Sequence, residues 1–229
     1  LVAIPFRRKQ GEAAAELLAI SNKNPDNNML AYVSSSLKDL GRYKTSVNII
    51  AKIPYKSELH GLFYPNVFPD EVSDAAKKNN LDPLLILSIM REESRFDNEA
   101  RSIAGALGLM QLMPQTAAIF KKSAKTNYSR TEELHRPEIN ISIGAHYLKH
   151  LIKTFNSTAA AIAAYNAGEE AVKNWLRNGN YGSVDEFIED IPYTETRNYV
   201  KRVLNTYFEY LKASKNSDID IAVKTIGKL

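Results

Sequence analysis

Apolar residues recur along most of the chain at the three- and four-residue spacing of amphipathic helices, and the alternation of half-buried strands is nearly absent. A long final helix is predicted from Tyr193 to about Ala213. Near the start, the same spacing predicts helices over residues 11–20, 28–40 and 43–53. The pattern therefore predicts an all-α protein, with room for a small β-element near residues 97–108.

The first 63 residues have the pattern of short helix pairs. The step Leu40-Gly41-Arg42-Tyr43 is typical of the turn between the two helices of a tetratricopeptide-like unit. One such unit cannot bury its own apolar face, so we expect residues 1–63 to belong to a stacked superhelical array or to brace the next domain. An ordinary helical hairpin is the alternative interpretation.

Proline residues mark the next boundary and several helix starts. A linker with Pro65 and Pro69 precedes a compact domain, which is predicted over residues 64–213. Within it, Asp82-Pro83 pairs a capping residue with proline at the first helical position, and later prolines can open helices in the same way. Residues 214–229 have weak periodicity and are predicted to form a C-terminal tail. Because the chain begins at Leu1 rather than Met, we expect a processed or excerpted product.

Composition narrows the function classes. With 229 residues, of which 44% are hydrophobic, the chain can bury a core. It has no cysteine, which excludes disulfides and cysteine-ligated metal sites. No run approaches the roughly 18 apolar residues of a membrane span. The net charge of +4 is spread along the chain, so we predict no nucleic-acid partner.

A carboxylate on an apolar helix face is the first candidate for chemistry. On a helical wheel over residues 84–96, Glu93 falls within about 20° of the centre of the apolar stripe, whereas Glu92 is roughly 80° away. An apolar setting raises the pKa of a carboxyl group and suits a general acid. The alternative is a structural Glu93 that turns to solvent and pairs with Arg95 or Arg101.

Other polar residues stand at unusual positions. Gln111 interrupts an apolar run after a Gly/Ala-rich segment, and Asn166 follows an alanine-rich helix that it could simply cap. His146 and His150 share a helix face, but no Glu follows the first histidine as a zincin site requires. We therefore predict packing or surface histidines, no metal site and no cofactor.

Four short blocks occur in a fixed order along the chain. They are Glu93-Ser94, Gly108-Leu109-Met110-Gln111, Ala164-Tyr165-Asn166 and Ile191-Pro192-x-x-Glu195-Thr196-x-x-Tyr199-Val200. Together they resemble the catalytic domain of the soluble, Slt-type lytic murein transglycosylases, over about residues 70–213. The segment before them resembles the end of that family's superhelical domain.

The resemblance implies a lysozyme-like catalytic domain and a lyase reaction on peptidoglycan. The β-1,4 bond between N-acetylmuramic acid and N-acetylglucosamine would break as the muramic acid C6 hydroxyl attacks its own C1, leaving a 1,6-anhydro ring. This reaction needs one catalytic carboxyl group, whereas ordinary glycosidases use two. Since peptidoglycan lies outside the cytoplasm, the resemblance also implies a periplasmic or wall-facing location.

The resemblance also assigns roles to residues. Glu93 is expected to be the general acid and base, Ser102 to hydrogen-bond near it, and Glu195 and Tyr199 to close the groove beside it. The remaining residues expected to line the sugar subsites are Gln111, Met113, Tyr165 and Asn166.

The sequence departs from the family pattern at three positions. Ile103 stands where proline is usual, Leu107 where a small residue is usual, and Glu92 where glutamine is common. Asp97 is the nearby rival of Glu93 and is expected at a helix end or turn. Two other functions remain open: a lysozyme-type hydrolase with a second carboxylate, and a wall-binding module without catalysis.

Overall fold

The computed structural model describes residues 3–213, with side chains from residue 11 onward. Twelve α-helices form this part of the chain. Its β-pairing is limited to two isolated antiparallel bridges, Arg101–Leu107 and Leu107–Leu112, at the place where a small β-element was expected. No helix among the described residues is long and apolar enough to cross a membrane. The predicted tail over 214–229 lies outside the described residues.

The chain divides into two compact units. The first comprises the residues up to Val67 together with residues 95–97, and the second the remainder. The helices of the first unit are α1 (Ala3–Ser21), α2 (Asn27–Asp39), α3 (Tyr43–Ile50) and α4 (His60–Phe63). The packing changes inside the proline-marked linker, and the predicted domains over 1–63 and 64–213 stay a prediction.

The first unit is held by an apolar cluster with a polar contact between α2 and α3. Val33, Leu37 and Ile50 are fully buried in this cluster. The Ser34 hydroxyl donates to the Ser46 carbonyl at 3.0 Å, and the Ser46 hydroxyl donates to the Ser34 carbonyl at 2.7 Å. Because each serine hydroxyl donates to the carbonyl of the other serine, α2 and α3 pack closely and neither buried hydroxyl lacks a hydrogen-bond partner.

Up to residue 213, the second unit contains eight α-helices, four of which begin at proline. As predicted, Pro83, Pro114 and Pro137 occupy first helical positions, where the missing N–H is not needed. The Asp82 carboxylate caps one of these starts by accepting from the Leu84 N–H at 2.8 Å. The helices are α5 (Pro69–Asn79), α6 (Pro83–Ser94), α7 (Pro114–Phe120), α8 (Pro137–Phe155), α9 (Thr158–Ala167), α10 (Glu169–Asn178), α11 (Val184–Asp190) and α12 (Thr194–Ala213).

Helix α9 is the buried helix of this unit. Every residue from Ala159 to Ala164 has no exposed surface, and α9 packs against α8, α10 and α12. Alanine permits this because its small side chain lets neighbouring backbones approach and loses no rotamer entropy in a helix. Helix α12 packs in addition against α6, which places its first half beside the end of α6.

Candidate active site

Glu93 lies in the last turn of α6, and its carboxyl group is buried, as the helical wheel predicts. Burial removes the charged form from water and raises the pKa of Glu93 from 4.5 to about 7. The Tyr199 hydroxyl opposes this rise by donating to Glu93 Oε1 at 2.6 Å. Near neutral pH this carboxyl group can therefore both give and accept a proton.

The neighbouring carboxylate, Glu92, has different surroundings. Its Oε1 accepts from the Thr206 hydroxyl at 2.7 Å, and its Oε2 lies 3.3 Å from Arg202 Nε. Arg91 contacts Glu92 Oε1 at 3.2 Å. The negative charge of Glu92 raises the pKa of Glu93, and the positive charge of Arg202 lowers it.

Ser94 joins the end of α6 to the Gly/Ala-rich segment. Its hydroxyl lies 2.8 Å from the Leu109 carbonyl and 3.1 Å from the Met90 carbonyl, within hydrogen-bond reach of both. The chain then leaves the helix through Arg95 and Phe96, which both have positive φ angles. Because this conformation is rare for side-chain-bearing residues, the turn directly after Glu93 is specified by its surroundings rather than by local preference.

The segment 107–112 is held by hydrogen bonds to the side chain of Asn140, a fully buried residue of α8. Its Oδ1 accepts from the Met110 N–H at 2.8 Å, and its Nδ2 donates to the carbonyls of Leu107 at 2.9 Å and Leu134 at 2.8 Å. Gly108, with φ +75°, passes directly over this amide, and a Cβ atom there would lie 2.5 Å from the Leu134 carbonyl. Glycine is required at this point.

Two of the predicted site residues, Gln111 and Ser102, hydrogen-bond to backbone groups in or next to this segment. Gln111, at φ +46°, donates from Nε2 to the carbonyls of Gly108 at 2.9 Å and Ala100 at 3.3 Å. The Ser102 hydroxyl accepts from the Ala106 N–H at 2.9 Å, which closes its own turn. The predicted approach of Ser102 to Glu93 stays a prediction.

The end of α9 brings further predicted residues to this region. The Tyr165 hydroxyl donates to the Met110 carbonyl at 2.9 Å. Burial raises the pKa of Tyr165 well above its usual value, and the charge of Glu93 adds to this effect. The Thr196 hydroxyl donates to Asn166 Oδ1 at 2.7 Å and so ties the end of α9 to the start of α12.

The remaining two predicted residues are exposed. Met113 occupies the N-cap position of α7, and 36% of its surface is accessible. Glu195 is exposed in the first turn of α12, one turn before Tyr199. The structure thus joins Glu93 to Tyr199 by a hydrogen bond and places Tyr165 close enough for the charge of Glu93 to affect its pKa. The assigned substrate contacts stay predictions.

Sequence reasoning assigned no role to the residues that hold the site in place. Four buried polar side chains each hydrogen-bond to a loop or to a neighbouring helix. They are those of Ser94, Asn140, Thr196 and Thr206. The available indication was a polar residue inside an apolar helical run, as at Asn140 between Ile139 and Ile141. Such a residue needs a buried partner, but the pattern does not identify that partner.

The two histidines of α8 have partners of their own. His146 Nδ1 lies 3.0 Å from Asn79 Oδ1, and His150 Nε2 lies 3.1 Å from Glu169 Oε2. The Phe120 ring packs against both. Among residues 3–213, no group of three or more histidine and carboxylate side chains is placed to hold a metal ion.

Comparison with known proteins adds to this geometry. Residues 70–188 match the family model described as the transglycosylase SLT domain. The soluble lytic murein transglycosylase of Salmonella typhimurium is 36% identical over 160 residues, which are 67% of this chain and 25% of that protein. This chain therefore spans a quarter of the length of that relative.

Two solved structures are also similar to the chain. The 70-kDa soluble lytic transglycosylase of Escherichia coli is 29% identical, with a TM-score of 0.78 over 93% of this chain and 35% of that one. An inactive mutant of the lytic transglycosylase Slt from Pseudomonas aeruginosa is 33% identical, with a TM-score of 0.73 over 90% of this chain and 33% of that one. These neighbours confirm the predicted fold class, all-α with a lysozyme-like domain.

Proposed function

The chain belongs to the transglycosylase SLT domain family, and on that premise we propose that it is a peptidoglycan lytic transglycosylase with Glu93 as its single general acid and base. The observation that carries this proposal is the buried Glu93 carboxyl group, which titrates at about pH 7 and accepts a hydrogen bond from Tyr199. A group with this pKa is protonated often enough to donate and basic enough to accept.

The proposed reaction has two proton transfers and uses no water. Protonated Glu93 first gives its proton to the glycosidic oxygen, and the bond from that oxygen to C1 of N-acetylmuramic acid breaks. The carboxylate then takes the proton of the C6 hydroxyl as O6 bonds to the same C1. Because nucleophile and electrophile belong to one sugar, positioning alone gives a high effective molarity. The products are a 1,6-anhydromuramyl end and a free N-acetylglucosamine hydroxyl.

A second catalytic carboxylate is not needed for this reaction, and the two other carboxylates closest to Glu93 in the sequence are both engaged by cationic side chains. Asp97 is ion-paired with Lys44 at 2.9 Å. Glu92 is fixed by its contacts to Thr206 and Arg202. These engagements favour the transglycosylase over a lysozyme-type hydrolase, which needs a carboxylate free to act on the opposite face of the sugar.

We further propose that residues around Glu93 bind the glycan strand. Tyr199 hydrogen-bonds to the Glu93 carboxyl group and orients it, and the exposed Met113 and Glu195 contact the sugars directly. Ser102, Gln111, Tyr165 and Asn166 shape or line the same subsites. The substrate places the protein in the cell envelope, in the periplasm or facing the wall.

The test is mass spectrometry of purified peptidoglycan digested by the wild-type chain and by Glu93→Gln. We expect 1,6-anhydromuramyl products from the wild type and a loss of about 10²–10⁴-fold in rate with Glu93→Gln, because the amide cannot donate the proton. Glu189→Gln is a matched control, since it removes an exposed carboxylate that pairs with Lys201 on α12. It should leave the products unchanged.

Three results would contradict the proposal. Reducing muramic ends would indicate a hydrolase, and an absence of products from folded wild-type protein would indicate a wall-binding module. Glu195→Gln tests the division of roles, and we expect it to raise KM while anhydromuramyl products still form. If Glu195→Gln abolished turnover as completely as Glu93→Gln, Glu93 would not be the single acid and base.

A further inference from the structure

The adjacent carboxyl groups at the end of α6 have opposite surroundings. Glu92 faces α12, where the Thr206 hydroxyl and Arg202 Nε contact its two oxygens at 2.7 and 3.3 Å, and only 11% of its side chain is exposed. The Glu93 side chain is partly buried, its carboxyl group is shielded from water, and it accepts from one neutral donor, the Tyr199 hydroxyl. Charged and polar donors stabilise an ionised carboxylate, whereas burial favours the neutral acid. One carboxyl group of the pair is therefore ion-paired with Arg202 and Arg91, while the other can exchange a proton.

We propose that Glu92 is a positioning residue, an anion fixed by α12 that keeps the adjacent Glu93 in its proton-donating form and neutralises Arg202 beside it. The inference rests on the proposed function and concerns how the same site is regulated. Glu92 touches neither reacting atom in this scheme. It acts through its charge, and through its hold on the guanidinium group that would otherwise favour ionised Glu93.

Few charged groups besides Glu92 and Arg202 lie close enough to Glu93 to affect its protonation. The described titratable groups that act on it or sense its charge are Glu92, Arg202, Tyr199 and Tyr165. Both tyrosines are neutral, because burial raises their pKa well above the usual value. Helix α5, which also packs against α6, buries only Val72, Ala75 and Ala76. Besides burial and the Tyr199 hydrogen bond, the protonation of Glu93 thus depends on the charges of Glu92 and Arg202, which contact each other, and Arg91 contacts Glu92 as well.

This arrangement predicts opposite effects for the two charges. Glu92→Gln removes the negative charge and leaves both Arg202 and Arg91 without their ion pair, so the pKa of Glu93 should fall by about one pH unit. Arg202→Gln removes the cation and leaves Glu92 in place, so the pKa of Glu93 should rise by about half a unit to one unit. A merely structural contact between α6 and α12 would weaken folding in both variants but would not move the pKa in opposite directions.

The experiment measures the pKa of Glu93 without relying on activity. Infrared spectra are recorded against pH for the wild type, Glu92→Gln and Arg202→Gln, and the spectrum of the same protein carrying Glu93→Gln is subtracted from each. The difference isolates the protonated carboxyl band of Glu93. Glu189→Gln is the matched control, because Glu189 of α11 is exposed and pairs with Lys201, the neighbour of Arg202 on α12. It should leave the pKa of Glu93 unchanged.

The same variants are then assayed for anhydromuramyl products over a range of pH. Since the donor must be protonated, the alkaline limb of kcat/KM should move to lower pH in Glu92→Gln and to higher pH in Arg202→Gln, in step with the infrared pKa. An unchanged pKa in Glu92→Gln, or one that rises, would overturn the proposal. So would activity lost at every pH with the pKa unmoved. If Glu92→Gln does not fold, Arg202→Gln decides alone, and a pKa that fails to rise rejects the role.

The proposed function fails in a different way. If the wild type makes no anhydromuramyl product, Glu93 is not shown to be a donor, but the infrared titration still reports whether Glu92 and Arg202 set its pKa. If the product forms and the pKa does not respond to Glu92→Gln, the enzyme activity stands and the positioning role does not. The two measurements therefore separate the two claims.

Discussion

Burial and the Tyr199 hydroxyl group are the two largest influences on the protonation of Glu93. Burial raises its pKa to about 7, and the Tyr199 hydroxyl, 2.6 Å from Oε1, holds that value down by stabilising the carboxylate. Burial raises the pKa of Tyr199 itself well above its usual value, so it donates at every pH at which the protein is studied. The strength of this hydrogen bond therefore influences the pH range of the acid, together with the charges of Glu92 and Arg202.

Replacing Tyr199 by phenylalanine should move that range. Without the donor, the ionised form of Glu93 is less stable, its pKa rises, and the alkaline limb of kcat/KM moves to higher pH by about one unit. The assay is release of anhydromuramyl products from pH 5 to pH 9. Tyr193→Phe, which removes a hydroxyl from an exposed tyrosine just before α12, should leave the limb in place. A limb that moves to lower pH in Tyr199→Phe would contradict this reasoning.

Helical periodicity was enough to place Glu93, because the buried face of a single helix follows from local spacing. It could not supply the bond to Tyr199, which lies 106 residues away in the sequence. That contact depends on which helices pack together, and only the resemblance to a family indicated it. The contacts of Thr206 and Arg202 to Glu92 were not predicted at all, for the same reason.

The segment between α6 and α7 is held in shape by α8 rather than by its own sequence. The buried Asn140 side chain makes three hydrogen bonds to backbone groups of Leu107, Met110 and Leu134, and Gly108 passes over it. Met110 in turn accepts from the Tyr165 hydroxyl, so the same segment is tied to α9. A disturbance at Gly108 should therefore reach the residues around Glu93.

Gly108→Ala tests this dependence against Gly105→Ala. Both glycines have positive φ, at +75° and +90°, so both variants carry the strain of that conformation, about 1 kcal/mol. An added Cβ at Gly108 would also meet the Leu134 carbonyl at 2.5 Å and the Asn140 amide, whereas at Gly105 it meets nothing within 4 Å. We expect Gly108→Ala to lose about 2–4 kcal/mol of unfolding free energy and most activity. Equal losses in the two variants, measured by urea denaturation, would rule out the role of the contact with α8.

The sequence predicted helix starts better than it predicted the buried hydrogen bonds that hold the loops. Proline with a capping residue fixes a helix start locally, and Pro83, Pro114 and Pro137 begin helices as predicted. The third predicted helix, over 43–53, ends instead at Ile50, because helix ends depend on packing and capping together. The role of Asn140 was not predicted, because its three partners lie in segments that only the folded chain brings together.

Burying Glu93 gives the folded chain a group that resists ionisation, and this lowers stability at high pH. The unfolded chain titrates this carboxyl group at about 4.5 and the folded chain at about 7. Stability from the neutral group is fully present below pH 4.5, declines as pH rises, and is lost once pH passes 7, since only the unfolded state ionises freely in between. The elevated pKa that suits catalysis is therefore linked to the stability of the whole molecule.

Glu93→Gln should consequently stabilise the protein in a pH-dependent way. The amide keeps the shape of the side chain and still accepts from Tyr199, but it has no charge to bury. From pH 5 to pH 8, the unfolding free energy of the variant relative to wild type should rise by about 2–3 kcal/mol and then level off. Glu189→Gln is the control: its ion pair with Lys201 lowers the pKa of Glu189, so removing it gives no gain at high pH. Urea denaturation at several pH values measures the difference, and a gain that is equal at pH 5 and pH 8 would mean that Glu93 ionises in the folded chain as easily as in the unfolded one.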